Sequence, residues 1–333
     1  MKTSSAFSWK VLQIDAEAVA QEIEEATRNI VFHRLRRRGA VVGLSGGIDS
    51  SVTAALCARA LGRDRVVGLF MPENESSEAS LRLGRLLTET LGIASVVEDV
   101  GPALSALGCY RRRDEAIRKV IPEYENGWKS KIVLPNLVDS PTYAFYFVVA
   151  QSPTGETRRV RLTSESYLGV VAATNFKQRM RKMLEYYHAD RLQYAVAGTP
   201  NRLEYAQGFF VKNGDGAADF KPIAHLYKSQ VVQLGKHLGV PEEILRRQPT
   251  TDTYSLEQSQ EEFYFSLPLE TMDLCLYGRN HQLAAPEVAS ATELSVAQVE
   301  RVYALINSKL HSTQYLHFPP QLVENVDEVC IAD

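Results

Sequence analysis

The chain has 333 residues, 45% of them hydrophobic and 23% charged, ordinary values for a globular protein with a sizeable core. Its net charge of −3 excludes a global pull towards nucleic acid or acidic membranes. Residues 1–10 carry no apolar signal core, no run reaches the ~18 apolar residues of a membrane helix, and Cys57, Cys109, Cys275 and Cys330 lack Cys-x-x-Cys spacing, so a cytoplasmic protein without zinc or a disulfide framework is expected. In chain order, Asp15 is placed to cap a helix running to about Arg38, with Val19, Ile23, Ala26, Ile30 and Leu35 on or near one face. Its early glutamates, late arginines and Gly39 at its end fit helix polarity. The basic knots at 34–38 and 111–113 read as solvated helix ends rather than RNA contacts.

A strand at 40–44, a helix from 50 to 61, a strand at 66–71, a helix at 77–91 and a short strand at 94–97 follow. Continuous apolar strands alternating with helices predict an α/β fold, a Rossmann-like doubly wound parallel sheet with helices on both faces. Residues 109–141 show no regular pattern. YAFYFVVA and TRRVRL flank a Ser-Pro-Thr-Gly turn and predict a β-hairpin over 143–162. Its first strand is apolar on both faces, which makes it a lid or subunit contact if it is not a surface ornament. A helix at 166–189, a strand at 192–197 and helices at 228–238, 241–246 and 296–310 complete a single domain over 1–333, with no internal repeat.

The most informative stretch is Ser45-Gly46-Gly47-Ile48-Asp49-Ser50-Ser51, directly after the first strand. A strand, a glycine turn and a helix start aim backbone N–H groups and a helix dipole at one point, which makes an anion site. Gly46 and Gly47 permit close approach and positive φ, and Ser45, Ser50 and Ser51 add hydroxyl donors. Asp49 would repel a phosphate unless a cation such as Mg²⁺ lies between them. The loop lacks the Gly-Lys-Ser/Thr ending of a Walker A motif. It resembles the pyrophosphate loop of the ATP-pyrophosphatase superfamily, whose members cleave ATP between the α- and β-phosphates.

Residues 198–228 read GTPNRLEYAQGFFVKNGDGAADFKPIAHLYK. With the loop at 45–51, this cassette closely resembles NAD synthetases of the ammonia-dependent type, over most of residues 15–250. The resemblance implies ATP as co-substrate, Mg²⁺, and amidation of nicotinic acid adenine dinucleotide through an acyl-adenylate that ammonia attacks. By matching position it implies that Ser45, Gly46, Gly47, Asp49, Ser50, Ser51, Met71, Thr199, Lys228 and Thr250 bind ATP, and that Asp49 and Glu204 hold the metal. It implies acceptor contacts from Asn175, Arg179, Phe209, Lys212, Asp215 and Asp219, with Arg179 and Arg181 as the weaker matches. Lys228 would neutralise phosphates, and Asp215 or Asp219 would handle the ammonium proton. A homodimer is implied, with sites near the subunit interface.

Two departures stand out. The hairpin looks like an insertion, and the segment 251–333 diverges from the tail of compact relatives. Both leave open an amide ligase of the same chemistry acting on another carboxylate. A tRNA-modifying adenylating enzyme would want a basic face and reactive cysteines, and a non-catalytic nucleotide binder would not need Asp49, Glu204 and Lys228 together. The stretch before Gly39 is too short for the amidase domain of glutamine-using relatives. Free ammonia, or a separate glutaminase partner, is therefore expected as the nitrogen source.

Overall fold

The computed structural model describes residues 7–134, 145–248, 253–260, 264–265 and 267–326. The first helix, α1 (Ala16–Arg28), is capped by Asp15, whose side chain accepts from the Ala18 N–H at 3.2 Å. A π-helical turn continues it to Arg34, four residues short of the expected end. The reversal falls at Arg36, with φ 53°, rather than at Gly39. Gly39 serves close approach instead, since a Cβ there would lie 2.2 Å from the Arg65 carbonyl oxygen.

The expected α/β units follow as β1 (Ala40–Gly43), α2 (Ile48–Leu61), β2 (Val66–Phe70), α3 (Glu78–Leu91, capped by Ser77) and β3 (Ala94–Val97). The stretch that showed no pattern is ordered. After α4 (Gly101–Ala106) it forms α5 (Cys109–Arg118) and β4 (Lys129–Val133). A run of three arginines hides the periodicity of α5, whose buried face is only Cys109, Arg113, Ala116 and Ile117. The hairpin strands are β5 (Phe147–Gln151) and β6 (Thr157–Arg161), while residues 143–144 lie outside the described residues.

The 29-residue α6 (Ser164–Leu192) leads to β7 (Ala195–Ala197). Beyond it come α7 (Arg202–Gln207), α8 (Lys228–His237), α9 (Glu242–Leu245), α10 (Leu269–Asn280), α11 (Ala285–Ala289) and α12 (Val296–Thr313). No helix among the described residues is long and apolar enough to cross a membrane.

The main sheet has four strands in the order β3-β2-β1-β7, all parallel. Ala40 and Val42 of β1 pack with α1, α2, α3 and α8 on one face. Val41 packs with Leu69, Val196 and residues of α5 and α6 on the other. Both faces are covered, as continuous apolar strands require. Strand order reverses between β1 and β7, so the loops after these two strands open a crevice at a topological switch point.

β5 is the centre of a second, antiparallel sheet, β4-β5-β6. Val148 and Ala150 are buried in a separate cluster with α5 residues and Tyr254, and Arg159 lies 4.5 Å over the Phe147 ring on the other face. Thus β4 and β6 protect both edges of the two-faced apolar strand.

Candidate active site

A cavity of about 670 Å³ lies at the β1/β7 crevice. The loop after β1 forms its floor. Gly46 has φ +71°, and a Cβ there would stand 2.6 Å from the Ser80 carbonyl oxygen, so this glycine alone carries the positive φ foreseen for both. Gly47 has φ −93° and is the N-cap of α2, whose first-turn N–H groups have no helical carbonyl to bond. Ser45, Gly47, Asp49 and Ser50 line the cavity. Ser51 departs from expectation: it is fully buried, and its hydroxyl donates to the Gly47 carbonyl at 2.8 Å, holding the turn rather than facing a ligand.

The loop after β7 brings up the partners of Asp49. Asn201 caps α7 in a capping box with Glu204, the N–H of each donating to the side-chain oxygen of the other at 3.1 and 3.2 Å. The Asn201 amide also donates to Asp49 Oδ1 at 3.0 Å, across 152 residues of chain. Lys228, 4% exposed at the start of α8, donates from Nζ to Asp49 Oδ2. Gln260 donates to Glu204 Oε1 at 2.9 Å. Both carboxylates are thereby held rigidly by donors.

The electrostatics follow from burial and proximity. Burial first, then the Asp49 charge, push the Glu204 carboxyl up to about 8. Burial works to lower Lys228, but Asp49 and then Glu204 outweigh it and hold the ammonium above its ordinary range. The unfolded chain releases the Glu204 proton near 4.5, the folded protein only near 8. Between these values the folded state binds more protons, so stability falls as pH rises through the window. Glu204→Gln removes that slope. Without metal or nucleotide, its thermal midpoint is expected to gain on the wild type progressively from about pH 5 to about pH 8. Melting curves at both ends check this, and a margin that shrinks with pH contradicts it.

The remaining expected positions divide. Met71, Thr199, Asn175, Arg179, Arg181, Phe209, Lys212 and Asp215 line the cavity. Asp215 accepts from the Val211 N–H at 2.7 Å, and burial raises its pKa. Asp219 does not line the cavity. Its carboxylate accepts from the Val196 N–H at 2.7 Å and from the Tyr186 hydroxyl at 3.3 Å, tying the return segment to β7. Lys212 donates to the Tyr315 and Phe318 carbonyls at 2.8 and 3.2 Å. Thr250 lies outside the described residues.

Several site residues were not foreseen. Arg247 donates to the Gly46 carbonyl at 3.3 Å and the Ser80 hydroxyl at 2.9 Å, clamping the loop after β1 to α3. Asp273 of α10 accepts from the N–H groups of Lys228 and Ser229 at 3.3 and 2.8 Å, anchoring the helix start that presents Lys228. Burial pushes its carboxyl up to about 6. Asn201 had a visible signal in the Asn-x-x-Glu of its capping box. Arg247 and Asp273 had none.

A family model described as NAD synthase matches residues 19–123 and 154–315. The chain belongs to the NAD synthase family. The family model leaves 124–153 unmatched, which includes β4 and β5. Among relatives, the chain is 60% identical to an NH3-dependent NAD⁺ synthetase of Rhizobium meliloti, over 97% of this chain and 96% of that one. It is 57% identical to the NH3-dependent NAD⁺ synthetase of Mesorhizobium japonicum, over 96% of this chain and all of that one. Solved structures share the fold. The NMN synthetase of Francisella tularensis aligns with a TM-score of 0.64 at 23% identity, covering 94% of this chain and 100% of that one. The NH3-dependent NAD synthetase of Campylobacter jejuni aligns at 0.58 and 22%, covering 96% and 100%.

Proposed function

We propose that this chain is a carbon–nitrogen ligase that uses ATP and ammonia to convert nicotinic acid adenine dinucleotide to NAD⁺, releasing AMP and pyrophosphate. The observation that carries the reading is the meeting of Asp49, Glu204 and Lys228 beside the loop at 45–51, in a chain of the NAD synthase family.

The residues assign themselves to two half-reactions. The start of α2, with the Ser45 and Ser50 hydroxyls, receives the β- and γ-phosphates of ATP. Lys228 places its charge beside them, supplying the lysine that the loop itself lacks. A carboxylate oxygen of the acceptor attacks the α-phosphorus, the bond to the bridging oxygen breaks, and pyrophosphate leaves. Preorganised N–H groups and Lys228 stabilise the charge that develops there. Ammonia then attacks the acyl carbon, AMP departs, and one proton is lost from nitrogen. Asp215 stands in the cavity wall to take up that proton, a task for which Asp219 is badly placed.

The donor set fits Mg²⁺: Asp49 and Glu204 are hard oxygen ligands, close enough for one charge to suppress ionisation of the other. Among the described residues no cluster of three or more His, Cys, Asp or Glu offers a metal site, so phosphate oxygens and water would complete the shell. Bound there, Mg²⁺ would offset charge on the departing pyrophosphate.

We further propose a homodimer. Met183 and Tyr187, one turn apart on α6, are each 58% exposed, and Leu168 of the same helix is 62% exposed. Sedimentation as a monomer at working concentration would overturn this. Free ammonium is the proposed nitrogen source, and stimulation only by an added glutaminase would replace it.

The deciding experiment follows AMP and NAD⁺ together in a mixture of ATP, Mg²⁺, ammonium and nicotinic acid adenine dinucleotide. Equal yields support the reading. AMP released only with a different carboxylate would redirect the same chemistry to another acceptor.

A further inference from the structure

Lys177, Lys182 and Lys228 are all buried, and each has a carboxylate as its partner: Glu73 and Glu75 for Lys177, Glu185 for Lys182, Asp49 for Lys228. This is the usual condition for a buried ammonium, because the charge loses its hydration and needs a counter-charge in its place. Lys309, half-buried rather than buried, breaks the pattern. It sits near the end of α12 and lines the active-site cavity. Among the described residues no carboxylate pairs with it. Its Nζ donates to the Tyr264 carbonyl and lies 3.8 Å over the Tyr264 ring and 5.5 Å from the Phe265 ring centre. Tyr264 in turn stacks on Phe209 at 4.6 Å. Burial lowers the amine to about 7.

A half-buried amine held over an aromatic face and turned to a substrate cavity, with no counter-ion among the described residues, is placed to take an anion. The geometry points to Lys309 as an acceptor-binding residue, whose counter-ion is an anionic group of the dinucleotide, either its pyridine carboxylate or its bridging phosphates. The assignment rests on the function proposed above. Ser312, Thr313 and Tyr315 line the same stretch of cavity, one turn or so further on, and add hydroxyl groups to the neighbourhood. The Asp49–Lys228 centre belongs to other elements, so the ATP end and the Lys309 end are separable by mutation.

The test uses the full-length enzyme and Lys309→Met, which keeps the apolar stem and removes the charge. Calorimetric titration with nicotinic acid adenine dinucleotide is expected to show binding weakened about 10- to 100-fold, with the KM for ATP unchanged within about twofold. Lys309→Arg is expected to recover part of the loss. Titration with NAD⁺, which has the same phosphates and no carboxylate, separates the two anions. Equal weakening for both ligands assigns the phosphates, and weakening for the acid alone assigns the carboxylate.

Unchanged acceptor binding in Lys309→Met, with the wild type turning the acceptor over, overturns this assignment and leaves the function standing. A wild type that neither binds nor converts the acceptor overturns both. Misfolding does not confound the result, because removing a half-buried amine that has no counter-ion among the described residues is expected to leave the thermal midpoint equal or higher. If the midpoint falls instead, Lys309→Arg with its charge intact supplies the comparison: binding no tighter than in Lys309→Met overturns the assignment.

Discussion

Asp49→Asn is expected to cut NAD⁺ formation by about 10³-fold, with AMP release falling in step. Asp49 joins three elements at once. One carboxylate oxygen takes the Lys228 ammonium and the other the Asn201 amide, and the pair with Glu204 supplies the charge that a bound cation needs. Asparagine has nearly the same shape but turns an N–H₂ donor towards one of two existing donors. It also removes the negative charge, so Lys228 would turn to Glu204, which ionises more readily once Asp49 is neutral. The fold should survive while the adenylation step fails. Steady-state assays of AMP and NAD⁺ check this. Loss of NAD⁺ with pyrophosphate release intact would move Asp49 from adenylation to the amide-forming step.

Lys228→Met is expected to produce the second largest effect, on stability as well as on rate. Its Nζ neutralises a carboxylate in a buried site, and removing one member of such a pair costs about 3–5 kcal/mol. The rate of AMP formation should fall about 10²- to 10³-fold, since one positive donor near the leaving phosphates is gone. Denaturant melts and single-turnover pyrophosphate release measure the two effects independently. Mg²⁺ should recover part of the lost stability by taking over the orphaned carboxylates, and it should do so less in wild type. A variant with normal rate and lowered stability would reduce Lys228 to a structural counter-ion.

Much of this site was legible because its residues lie in short strings with chemical meaning. Strand, glycine turn and helix start at 40–51 define an anion site before any coordinate is known, and short apolar strands define a covered parallel sheet. The cassette at 198–228 placed Glu204, Asp215 and Lys228 on the same cavity. Legibility ended where position depends on tertiary contact. Ser51 and Asp219 carry suitable groups, yet one hydroxyl faces its own helix turn and one carboxylate serves a strand.

Arg247, Asp273 and Lys309 were invisible for the opposite reason. Each is an ordinary charged residue locally and gains its meaning from a partner on another element. The divergent segment after 250 could in principle close over the site or only complete the fold. Its described part does both, through Gln260 and Asp273 behind the carboxylates and α12 along the cavity.

The pairing of β1 with β7 has a kinetic consequence. β1, β2 and β3 follow one another within about sixty residues and meet through ordinary crossovers, whereas Asn201 must find Asp49 across 152 residues and Lys228 across 179. Contacts of such separation form slowly, because loop closure precedes any reward. During refolding, far-ultraviolet ellipticity from the first βαβαβ unit should therefore return before turnover does. Enzymatic activity becomes a clock for the closing of the last strand, and a chain halted one step earlier would hold a well-formed glycine loop with nothing opposite it.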